Sequence, residues 1–208
     1  MSAAIPAPGW GVARPVLADA LIRSRSTAAQ VGLVIAGAAL VAVLAQVAVP
    51  LWPVPVTGQT LGVLVVGASL GARRAAAAMT TYLLAGVAGL PVFAGAMGGP
   101  ASVAGPSFGF IIGFIPAAAF IGWLAQRHWD RRPLLALAGF AGASLIPFII
   151  GVPYLGVVLS MLGMPHDVGT LMSVGVVPFL VGGIIKWILA AMIMPLAHRA
   201  AGALDAER

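Results

Sequence analysis

Apolar residues in this chain come in long blocks and do not alternate with polar ones. The blocks are Ala28 to Val49, Thr60 to Leu70, Ala75 to Val92, Phe108 to Ala125, Leu134 to Val152 and Val176 to Ala197. No charged residue interrupts Ser26 to Ala72 or Ala75 to Gln126. One helical crossing of a bilayer takes about 20 such residues, so each uncharged run has room for two. The pattern predicts an all-α membrane protein, a bundle of six transmembrane helices. Thr60 to Leu70 gives only roughly 16 Å of helix, and must borrow residues from Thr57 onward or lie against other helices. Gly62, Gly67 and Gly71 would permit such close packing. Leu155 to Leu162, bounded by Pro153 and Pro165, is too short to cross and reads as a half-helix or re-entrant lid.

Composition agrees with the blocks. The chain is 61% hydrophobic and 8% charged, against about 25% charged in an average soluble domain. Its formal charge of +6 does not point to nucleic acid, because the basic residues are short flanks of apolar segments and not one patch. They sort to one set of connections: Arg14, Arg23 and Arg25, then Arg73 and Arg74, then Arg127, Arg131 and Arg132, then Arg199 and Arg208. By the positive-inside rule that side is cytoplasmic, and both termini lie there. Residues 1–27 are expected to form a cytoplasmic tail, mostly disordered or lying on the surface. Residues 28–198 form the six-helix substrate-binding domain and 199–208 a second cytoplasmic tail. The first block is too long for the 7 to 15 apolar residues of a signal-peptide core, so it reads as a retained helix.

Two outer connections stand out. Pro50 to Gln59 and Phe93 to Pro106 are rich in Pro and Gly, uncharged and still apolar. Irregular backbone at membrane depth is tolerated where it is buried in protein or lines a cavity, and glycines such as Gly98 and Gly99 allow a ligand close to backbone amides. Lys186 is the one ionisable group inside a predicted span, about 12 Å along the last helix. Such a lysine costs about 2.5 to 3.5 kcal/mol on insertion scales, and no acid sits within a span to pair with it. That combination points to a ligand that is an anion or an acceptor, such as a small, largely apolar carboxylate or ureido compound. Thr57, Gln59, Thr60, Tyr82, Ser102, Ser107 and Tyr154 are the polar candidates around it; Trp52, Phe93, Phe108, Phe110, Phe179 and Trp187 are the candidate walls. The chain has no cysteine, and its three histidines, His128, His166 and His198, are too scattered for a metal site. Paired acids, a His cluster, an activated nucleophile and a Walker motif are all lacking in the sequence, which argues against a membrane enzyme and against self-powered transport.

These stretches resemble the BioY family, the biotin-binding S components of energy-coupling-factor (ECF) transporters. The likeness is carried by PVPVTGQTLGVLVVGASLG from Pro53, YLLAGVAGLPVFAGAMGG from Tyr82, GPSFGFIIGF from Gly105, GVPYLGVVL from Gly151 and PFLVGGIIKWILA from Pro178, in that order. The resemblance implies high-affinity capture and uptake of biotin, with outer loops closing a pocket that involves Lys186, Gln59, Thr57, Tyr82, Phe93, Gly98, Gly99, Ser107 and Tyr154. In the expected pose the biotin carboxylate faces a cation. The resemblance also implies an ECF transmembrane coupling subunit and ABC-type ATPase subunits as partners, with no cofactor, and a docking face on the first helix for which Ala38 and Ala42 have the spacing. An S component for a different small vitamin or precursor is the alternative. One departure matters: many relatives carry Asp three positions before the lysine, where this chain has Gly183. Asp167, a carbonyl of the Gly98 and Gly99 loop, or Gln59 would then have to supply the missing acceptor.

Overall fold

The computed structural model describes residues 16–22 and 26–206. A short helix α1 (Leu17–Leu21) precedes α2 (Thr27–Ala45). Strands β1 (Ala48–Val49) and β2 (Val56–Thr57) then pair antiparallel, Ala48 opposite Thr57. They lead into α3 (Gln59–Leu70) and α4 (Ala72–Val87). Two 3-10 turns, Ala94–Ala96 and Pro100–Ala104, bridge to α5 (Phe108–Ala125). The 3-10 turn Trp129–Arg131, α6 (Pro133–Met161), α7 (Val168–Gly175) and α8 (Val177–Ala206) complete the chain.

Four segments among the described residues are long and apolar enough to cross a membrane: Thr27–Ala45, Phe108–Ala125, Leu134–Met161 and Val168–Ala197. Their burial differs sharply. In α5, 67% of the apolar window is inside the protein; in Val168–Ala197, 6%. Helix α5 is therefore the axis of the bundle, and glycines let it approach its neighbours. A Cβ on Gly113 would come within 2.6 Å of Pro147 Cα of α6, and one on Gly122 within 2.5 Å of the Ala72 amide. Helix α3 spans 12 residues; it is short yet hidden, with Val63, Leu64, Val66, Ala68 and Leu70 all buried. Large apolar side chains such as Ile149, Val181 and Val43 remain exposed, which is the surface expected where the solvent is lipid.

The α3–α4 turn and the end of α5 meet at one end of the bundle, where Gly71 faces Gln126. Arg73, Arg74, Arg127 and Arg132 belong to the connections at that end. Arg14, Arg23, Arg25 and Arg208 lie outside the described residues. The opposite end holds the β-hairpin, the two 3-10 turns of the second connection and α7.

Two sequence expectations are corrected. Leu155 to Leu162 is not a separate half-helix; α6 runs 29 residues through Pro147 and Pro153. Each proline removes one backbone donor, but lipid offers the released groups no alternative partner, so the helix continues. Within the supposed N-terminal tail, Val16, Leu17 and Ala18 are buried and pack with Leu64, Ala68 and Met194. Arg74 fastens this segment through an ion pair to Asp19 at 2.8 Å, and also donates to Gln30 Oε1 at 3.3 Å. At the other terminus α8 extends as helix to Ala206. On α2, Ala38 is buried and Ala42 packs against the same internal cluster, so this row helps seat α2 on its own bundle.

Gly113→Ala should lower stability by about 1 to 3 kcal/mol, because the added methyl forces α5 from the Pro147 backbone; thermal unfolding in detergent measures it, and an unchanged midpoint would contradict this packing.

Candidate ligand-binding site

The polar residues at the start of α3 form a directed chain. Thr57 Oγ1 donates to Gln59 Oε1 at 2.7 Å, Gln59 Nε2 donates to Tyr82 Oη at 2.6 Å, and Tyr82 Oη donates to the Val92 carbonyl at 3.1 Å. All three side chains are buried, where an unmade hydrogen bond costs about 1 to 3 kcal/mol. Thr57 ends β2, Gln59 opens α3 and Tyr82 sits on α4, so the chain stitches both irregular connections onto the bundle. Phe93 follows Val92 and packs edge-on against Tyr82, ring centroids 5.4 Å apart. It fits because residue 86 is glycine: a Cβ there would lie 2.1 Å from the Phe93 ring.

The Gly-rich connection is held at further points. Gly99 N donates to the Gly86 carbonyl at 2.7 Å, and a Cβ on Gly98 would meet the Leu90 carbonyl at 2.2 Å. These glycines thus bring the loop onto the end of α4; the Gly99 amide is spent there. Gln46 Nε2 donates to the Phe93 carbonyl at 3.1 Å, while its Oε1 accepts from Ala96 N at 3.0 Å. Tyr154 of α6 donates its hydroxyl proton to the Val103 carbonyl and packs beside Phe108. Ser107 is the N-cap residue of α5, with no side-chain cap bond.

On the other flank, Phe110, Phe148 and Phe179 bring α5, α6 and α8 together with centroid separations of 5.7, 6.1 and 5.8 Å. Val54 of the hairpin tip is buried in the same cluster. Trp52 is 66% exposed and stands away from these walls, and Trp187 donates its ring N–H to Ser144 Oγ at 2.7 Å.

Lys186 lies on α8, and its ammonium reaches across to α3, donating to Thr60 Oγ1 at 2.8 Å. Asp167 does not fold back toward it. That exposed carboxylate caps α7, accepting from Thr170 N at 3.1 Å and Thr170 Oγ1 at 2.6 Å. The hydroxyl bond first, then the backbone bonds, hold Asp167 below its ordinary acid range.

Of the expected residues, Thr57, Gln59, Tyr82 and Phe93 thus form one cluster, with Gly98 and Gly99 on its loop. Thr60, one position after Gln59, holds Lys186. Tyr154 and Ser107 lie at the far attachment of the same loop. Gln46 and Phe148 were missed by sequence reasoning. The signal for Gln46 was its polarity within the Ala28 to Val49 block, whose other polar side chain is Gln30; Phe148 carried no signal that set it apart from other apolar residues. Among the described residues no group of His, Cys, Asp or Glu could hold a metal ion.

The BioY family's sequence profile matches residues 19–203. A Biotin transporter BioY of Thermotoga maritima is 39% identical over 155 residues, 74% of this chain and 87% of the relative. Biotin transporter BioY2 of Lactococcus lactis subsp. cremoris is 35% identical over 174 residues, 80% and 91% of the two chains. A Rhizobium etli Biotin transporter BioY is 37% identical, covering 68% and 76%. A crystal structure of the S-component for biotin from an ECF-type ABC transporter superposes with a TM-score of 0.68 at 23% identity, covering 85% of this chain and 95% of that one.

Tyr82→Phe leaves Gln59 and the Val92 carbonyl without their buried partner. It should cost about 1 to 3 kcal/mol of stability and raise amide exchange across 92–97; native-like exchange there would show that the tyrosine does not hold the loop.

Proposed function

Because the chain belongs to the BioY family, we propose that it is the biotin-capturing S component of an ECF-type transporter, a transport subunit and not an enzyme. Six membrane crossings are proposed, with α3 and α4 supplying the two short ones and the arginine-bearing end facing the cytoplasm. The hairpin, the Gly-rich loop and α7 then face outward, where the vitamin arrives. The ECF transmembrane coupling subunit and ABC-type ATPase subunits supply the energy.

The observation that carries this reading is the Lys186 ammonium, held across the bundle by the neutral hydroxyl of Thr60, in the first turn of the helix that Gln59 of the Thr57–Gln59–Tyr82 chain opens. An ammonium has three donors and no acceptor. With one donor on Thr60, two are left for an incoming oxygen. Biotin offers a valerate carboxylate, a ureido ring and an apolar thioether ring between them. We assign Lys186 to one polar end of it and the remaining hydrogen-bonding capacity of Thr57 and Gln59 to the site's polar lining. Tyr82 and Phe93 form the packed support, while Gly98, Gly99, Ser107 and Tyr154 belong to the cap.

Calorimetric titration of the purified chain with biotin should show saturable binding, weakened in Lys186→Met by about 1.5 to 3 kcal/mol, the worth of a hydrogen bond to a charged group. Unchanged affinity in that variant would remove the lysine from the site. Reporter fusions at Arg73 and Arg131 should score cytoplasmic; an external signal at either would overturn the orientation.

A further inference from the structure

We infer that Thr60 is a positioning residue for Lys186, and that the pair forms a site of uncompensated positive charge which selects biotin as its free acid over its neutral derivatives. The inference rests on the assignment of Lys186 to the ligand, and adds to it a second residue and a rule of specificity.

The candidates for a missing acceptor beside Lys186 can be taken one at a time. Asp167 is spent on capping α7. Asp19 is paired with Arg74 at the arginine-bearing end of the bundle, and Asp130 lies in the Trp129–Arg131 turn at that same end. Gln59 accepts from Thr57 and donates to Tyr82. The Gly99 carbonyl accepts from Ser102 N at 3.0 Å and from the Ser102 hydroxyl. At position 183, one turn before the lysine, a Cβ would meet only the Trp187 ring, at 3.5 Å, and there is no carboxylate. Among the described residues what remains is Thr60, on a helix 126 positions away in sequence.

A hydroxyl in this place has two consequences. The first is positional. Lys186 has a flexible stem, and α8 belongs to the segment with the least buried window in the bundle, so an untethered ammonium would snorkel toward water. The bond to Thr60 aims it at α3. The second is electrostatic. A carboxylate partner would bring the pair to net zero; a hydroxyl leaves it at one positive charge. Charge is expensive in a low-dielectric interior unless compensated, so a ligand that brings its own negative charge gains what a neutral one does not. The threonine hydroxyl also has a proton to give, so ammonium and hydroxyl can both donate to one carboxylate.

The test is calorimetry with biotin and biotin methyl ester on the intact chain and on Thr60→Val, Thr60→Ser, Lys186→Met and the Lys186→Met/Thr60→Val double variant. For the unmodified chain the ester should bind at least roughly tenfold more weakly than the acid, and Lys186→Met should bring acid and ester close together. Thr60→Val should weaken binding of the acid by roughly 3- to 10-fold. Thr60→Ser, which keeps the hydroxyl, should restore it, and Thr60→Val should add nothing once Lys186 is gone. An acid-to-ester ratio near one in the unmodified chain overturns the specificity rule and needs no variant to show it. A Thr60→Val penalty that is the same with and without Lys186, or no penalty at all, overturns the positioning role. If Lys186→Met itself leaves biotin binding intact, the assignment of the lysine to the ligand has failed; if it weakens binding while Thr60→Val does not, only the role of Thr60 has failed.

Discussion

Hydrocarbon gives a polar group nothing to bond with, and that constraint shapes every part of this molecule. Backbone donors and acceptors must be satisfied within helices or by neighbouring protein. Helix α6 accordingly carries two internal prolines without breaking, and the apolar connections lie on the bundle with their amides and carbonyls answered by Tyr82, Gln46, Tyr154 and Gly86. The same constraint makes Lys186 conspicuous. Its ammonium is held by a hydroxyl from another helix, an arrangement that satisfies one of three donors and neutralises nothing.

The two ends of the bundle express different chemistry. At the arginine-bearing end, Arg74 uses all its nitrogens on Asp19, Gln30 and the Leu70 carbonyl, fastening α1 beneath α3. At the other end no charge takes part in the attachments of the two connections, which are amides, hydroxyls and aromatic edges. A surface built in that way leaves an entering ligand to bring the charge, and a family of biotin transporters supplies a ligand with a carboxylate. Between the two ends runs α5, buried along most of its length and packed through glycines against α6 and the α3–α4 turn.

Much of the architecture was legible because uncharged blocks of this length have few folds open to them. Helix α5 lies where its block predicts, and the short Thr60 to Leu70 block is buried against other helices as its length requires. The grouping of Thr57, Gln59, Tyr82 and Phe93 was legible as a set of rare polar or aromatic residues near apolar loops. The rest was not, for physical reasons. A helix apolar on all sides has no sequence-readable face, so the inward turn of Ala38 and Ala42 had no signal. Proline reads as a helix end because in water it usually is one; inside lipid Pro153 is not. The burial of Val16 to Ala18 depends on a groove that exists only once α3 and α8 have packed. The partnership of Lys186 with Thr60 joins residues too distant in sequence for any spacing rule to connect them.

The most direct measurement is a structure of the chain with biotin bound. The account predicts a biotin oxygen about 2.7 to 2.9 Å from Lys186 Nζ, the range of a charge-assisted hydrogen bond, beneath the loop that carries Gly98 and Gly99. Biotin bound elsewhere, with Lys186 turned toward the lipid headgroups, would contradict it.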